Sequence, residues 1–79
     1  MTKKTPSRFY NHDVVNLAGE GIGCTLDLSR IVAVGYSARG VFPVYIAGAA
    51  RPVECFATDD AQRQRLVDAW TAYENWLTN

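Results

Sequence analysis

From residue 58 onward the apolar positions recur at helical spacing. Leu66, Ala69, Trp70, Tyr73, Trp76 and Leu77, with Gln62 ahead of them, fall on one face, and neither Gly nor Pro interrupts the run. The spacing predicts a long amphipathic helix over 59–77. Asp59 is placed to cap it with Gln62 three positions on, an arrangement that satisfies two of the first free backbone N–H groups. Trp70 sits mid-stripe and is the expected anchor, worth about 3–5 kcal/mol if cut back to alanine.

Before the helix the pattern alternates. Ile22, Cys24, Leu26 and Leu28 interleave with Gly23, Thr25 and Asp27, the mark of a strand with one dry face. The nearly continuous apolar run 31–36 reads as a central strand, and 41–47 and 53–57 read as two more. A weaker edge strand is expected over 13–18. The turns fall at Gly19-Glu20-Gly21, at Ser37-Ala38-Arg39-Gly40, which leaves Arg39 at an exposed tip, and at Gly48-Ala49-Ala50-Arg51. Pro43 cannot donate a ladder hydrogen bond, so the strand carrying it needs a bulge there or an edge position for its first half. The expected fold is therefore α+β. It is a single two-layer domain in which an antiparallel meander sheet of four to five strands is covered on one face by the C-terminal helix. Residues 1–8 read as a mobile tail and 9–79 as the domain, with sheet over about 13–57.

Length sharpens one point. A helix of this span is about 28 Å long, against about 20 Å for a six-residue strand and about 24 Å for five strands side by side. Run along the strands, it overhangs by a turn or more. The overhang holds Tyr73, Trp76 and Leu77, types that anchor interfaces. Those three, with Phe9, Tyr10 and Arg39, are the expected partner-binding residues. The alternative is that sheet twist and the Phe9-Tyr10 segment cover the helix end.

Composition adds limits rather than chemistry. The 79 residues are 48% hydrophobic, enough for one core and too few for a second domain. Lys3, Lys4 and Arg8 lie near the start. From Phe9 onward five arginines face eight acids, a formal charge of −3. That argues against nucleic acid as main partner. The run Tyr36, Arg39, Phe42, Tyr45 could stack bases, but Phe42 and Tyr45 face opposite ways by alternation. No apolar run is long enough to span a membrane, and no hydrophobic segment follows the early lysines, so a cytoplasmic location and reduced Cys24 and Cys55 are expected.

Candidate catalytic features dissolve on inspection. Gly19-Glu20-Gly21-Ile22-Gly23 leads into a strand, whereas a phosphate loop leads into a helix. His12, the single histidine, reads as a solvated loop residue. Cys24 and Cys55 read as small apolar fillers, and Asp59-Asp60 as helix-start acids. No nucleophile, base and oxyanion set is present, and no metal or cofactor site. These readings predict a small non-enzymatic accessory or inhibitory factor acting by protein–protein contact, possible as a homodimer. Short chains without chemistry are common among phage and mobile-element accessory genes, inhibitors of host defence among them; no residue carries that step. A small-molecule or nucleotide pocket between helix and sheet, or at a dimer seam, is the alternative, and nucleic-acid binding through the Arg39 hairpin a weaker one.

Overall fold

The computed structural model describes residues 5–78. They form five antiparallel strands and one helix, in the order β1 (Phe9–Val15), β2 (Gly21–Asp27), a 3-10 turn (Leu28–Arg30), β3 (Ile31–Val34), β4 (Val41–Ile46), β5 (Val53–Phe56) and α1 (Asp60–Thr78). This is the α+β, two-layer architecture that the alternating pattern and terminal helix predict. The first strand begins at Phe9, four residues before the expected start. Its inward set is Tyr10, His12 and Val14, a mixed series that hydropathy alone underrates. Of the tail expected over 1–8, the first four residues lie outside the described ones. Arg8 is held, its carbonyl accepting from Leu28 N–H and its guanidinium forking onto Asp27 at 2.8 and 2.9 Å.

Strand order across the sheet is β2-β1-β5-β4-β3. The chain meanders through its hairpins, but β2 and β3 occupy opposite edges and are joined by only Leu28–Arg30. Five flat strands would hold those edges about 19 Å apart, and the link from Asp27 to Ile31 reaches at most about 14 Å. The sheet must therefore curl. The corner is fixed at both sides: Leu28 N–H bonds to Arg8 before β1, and Arg30 C=O accepts from Ala47 after β4. Leu28 itself points inward and is buried.

The hollow of the curl is filled by Leu26, Leu28, Ile31, Phe42, Val44, Cys55 and Ala57, on which Leu66 and Tyr73 of α1 close. The predicted cap forms. Asp59 Oδ1 accepts from Gln62 N–H, and Gln62 Oε1 accepts in return, from Thr58 N–H rather than from the cap's own. Ile22, expected to face inward, is 52% exposed, because the strand's first residues run past the helix.

Two backbone details follow from the loops. β3 ends at Val34, so the first half of β4 has no full β3 partner, and the missing Pro43 N–H falls just past the strand's end, opposite the Gly35 carbonyl; the register shift falls on β3, between Ile31 and Ala33. The hairpin after β3 closes at the Ala38–Val41 bridge with Arg39 at φ 55° and Gly40 at φ 79°. Two left-handed residues make a two-residue turn of the primed type, and the second suits glycine while the first is strained for arginine. Arg39→Asn is therefore expected to raise stability by about 0.5–1 kcal/mol, read as a higher urea midpoint; an unchanged or lower midpoint would show that Arg39 is not strained.

Candidate interaction surface

The stripe on α1 is buried in its middle and bare at its end. Leu66 is fully buried and Tyr73 is 8% exposed, while every described residue from Glu74 onward is exposed. Trp76 and Leu77 stand at 37% and 54%. The Tyr73 and Trp76 rings lie 6.1 Å apart, so Trp76 rests one side on the last core aromatic and offers the other to water. No basic residue occupies the last turn; Thr78 Oγ1 donates to the carbonyls of Glu74 and Asn75.

Neighbours along α1 give its course. Gln62 and Arg65 line a cleft with Tyr10–Asp13 of β1, and Tyr73 comes near Arg8, whose pKa is raised chiefly by Asp27 and slightly by the Tyr73 phenol. The helix thus runs antiparallel to β1 and passes its first residue, which leaves Trp76 and Leu77 beyond the sheet. Asp27, bonded by Arg8 and Ser29, is held well below the usual carboxylate range.

The six expected contact residues do not form one patch. Tyr73 belongs to the core. Tyr10 is half-buried, its ring stacked on His12 at 6.1 Å between centroids. Phe9 is 54% exposed, faces away from Tyr10 by alternation, and carries the Arg8 guanidinium 5.3 Å from its ring centre. Arg39 lies at the other end of the molecule, since the Gly40 carbonyl accepts from Ala57, just before the helix starts. Trp76 and Leu77 remain as an exposed apolar pair.

His12 corrects the sequence reading. It lies on β1, half-buried, with Nε2 2.6 Å from the Phe56 carbonyl and its ring edge-on to Phe42 at 5.6 Å. A carbonyl only accepts, so Nε2 carries the proton. β1 and β5 are paired only at Val14–Cys55, and the imidazole bridges the strands where their ladder has opened. The acceptor is 44 positions away, a contact no local pattern signals.

Across β1 and β2, His12 pairs with Cys24. Both border the open cleft, about 390 Å³, which Asn11, Asp13, Thr25, Gln62 and Arg65 also line. Cys55 is buried, its thiol pushed up to about 12 by burial and by Cys24, so it stays protonated and packs as an apolar filler. Among the described residues no three His, Cys, Asp or Glu side chains are placed to hold a metal ion, and no helix is long and apolar enough to cross a membrane. Comparison with protein-family models, curated proteins and solved structures finds no match.

Proposed function

We propose that this chain is a non-enzymatic accessory or inhibitory factor that acts by protein–protein contact through the free end of α1. The supporting observation is the exposure of Trp76 and Leu77 on a stretch of helix with no sheet beneath it. An indole and a leucine left in water on a rigid helix form a small apolar anchor, of the kind that contributes most at interface centres. A binding partner covers them at little ordering cost, because Tyr73 already fixes the Trp76 ring.

The expected result is a separation of stability from binding. Trp76→Ala and Leu77→Ala should each change unfolding free energy by less than about 1 kcal/mol, as exposed positions do. A partner captured by the wild type and identified by mass spectrometry should bind either variant at least about tenfold more weakly. Unfolding of Trp76→Ala, or equal affinity for wild type and variants, would remove this surface from consideration.

The cleft beside His12 and Cys24 supports a second reading, a small polar ligand held by Arg65 and Gln62. A melting screen against nucleotides and metabolites tests it. The expected sign is a stabilised wild type and an unresponsive Arg65→Ala; a shift of equal size in both would place the ligand elsewhere.

A further inference from the structure

The two edges of the sheet are built differently. β3 is short, four residues, and its register slips between Ile31 and Ala33, features that discourage pairing with another strand. β2 has neither protection. It is seven residues long, regular in register from Gly21 to Asp27, and contains no Pro, Lys or Arg. Its single charge, Asp27, is neutralised by Arg8 of the same chain.

The hydrogen-bond phase of β2 is fixed at both ends. Leu28 N–H donates to Arg8 and Asn16 N–H to the Glu20 carbonyl, and the register between them is unbroken. Even-numbered residues of β2 therefore bond to β1, and the N–H and C=O groups of Gly21, Gly23, Thr25 and Asp27 point outward from the sheet. Cys24 is the middle residue of the strand. On the face that carries Cys24, Ile22 is 52% exposed, an apolar side chain that the described residues leave uncovered.

We propose that the β2 edge is the seat of a second copy of this chain, paired antiparallel about a two-fold axis at Cys24. This surface is distinct from the end of α1 and the proposal is independent of it. The sequence of β2 suits itself in that register. Gly23 meets Thr25 of the second copy and Gly21 meets Asp27, so each larger side chain faces a glycine and no like charges oppose. Ile22 meets Leu26 of the second copy and gains the cover it lacks. Four backbone bonds link the Gly23 and Thr25 positions, and two curled sheets join into one. Full overlap of a seven-residue strand with its own reverse is reached in this register alone.

The register makes a covalent test possible. Cys24 and its counterpart form a pair without mutual backbone bonds, whose Cα atoms stand about 4.5 Å apart, inside the range of about 4.4–6.8 Å that a disulfide accepts. Diamide, added as oxidant, takes two electrons and two protons from the two thiols and is itself reduced to the hydrazine. Oxidation of the purified full chain should yield a covalent dimer in wild type and Cys55→Ser, and none in Cys24→Ser. Sedimentation should show a concentration-dependent dimer that Thr25→Pro weakens at least tenfold, since it removes an outward N–H that no described residue of the monomer uses. Ile22→Lys, at an exposed position, should weaken it likewise, with circular dichroism unchanged, and decides the matter if Thr25→Pro does not fold. A monomer at all concentrations, a dimer indifferent to folded Ile22→Lys, or a dimer that fails to cross-link through Cys24 would overturn the proposal.

Discussion

Phe42→Ala is expected to bring the domain to the edge of unfolding, with a loss of about 3–5 kcal/mol. Phe42 is fully buried on β4, pairs with Cys55, and receives the edge of the His12 ring. Its removal empties the centre of the curl, where strands on two sides and a helix above leave the backbone little freedom to collapse. Domains of this size begin with a stability near the low end of about 5–15 kcal/mol, so most of the margin goes. Urea denaturation reads the effect as a lower midpoint at unchanged slope. Trp70→Ala should cost less, although Trp70 sits mid-stripe on the helix. It is only half-buried, and its indole Nε1 is buried without a hydrogen-bond partner among the described residues, a deficit of about 1–3 kcal/mol that truncation removes. If Trp70→Ala proved costlier than Phe42→Ala, this placing of the core's centre would be wrong.

That reversal illustrates what the chain reveals on its own. The helix, its Asp59–Gln62 cap and strands β2 to β5 were legible because each rests on local spacing: period two, helical spacing, or a turn residue at its site. The curl was not legible, because it arises from the pairing of β1 with β5 at Val14–Cys55, a contact between residues 41 positions apart in sequence. Without the curl, a flat sheet set beside the helix puts the start of the overhang at Tyr73. The curled sheet and the Arg8 segment reach far enough to cover Tyr73, so Tyr73 is core and the free end starts at Glu74. The place of His12 is hidden for the same reason, since its acceptor lies on β5. Arg39, by contrast, is placed at an exposed hairpin tip by Gly40 alone, a purely local signal.

Gly35→Ala should be among the most damaging of small substitutions, and the cause lies across the strand in Pro43. A Cβ at position 35 would stand 2.5 Å from Pro43 Cγ and 2.9 Å from Cδ. The pyrrolidine ring is part of the β4 backbone and cannot swing aside, so the strands must part, at a cost of about 1–3 kcal/mol. The same ring explains Arg63. Gly35 N–H donates to the Pro43 carbonyl at 2.8 Å, but the reciprocal bond fails because proline has no N–H. Arg63 Nε donates to the Gly35 carbonyl instead, at 2.8 Å, with its guanidinium 4.8 Å from the centre of the Tyr36 ring. Helix and sheet are thereby joined at an acceptor that the proline left open. Pro43→Ala removes the ring and restores an N–H facing Gly35. On that background Gly35→Ala should cost less than half of what it costs in wild type. Arg63→Met, expected to cost about 1–3 kcal/mol alone, should also cost less there. Urea denaturation of the single and double variants measures both couplings. Equal costs on the two backgrounds would mean that Pro43 neither excludes a side chain at position 35 nor creates the acceptor that Arg63 fills.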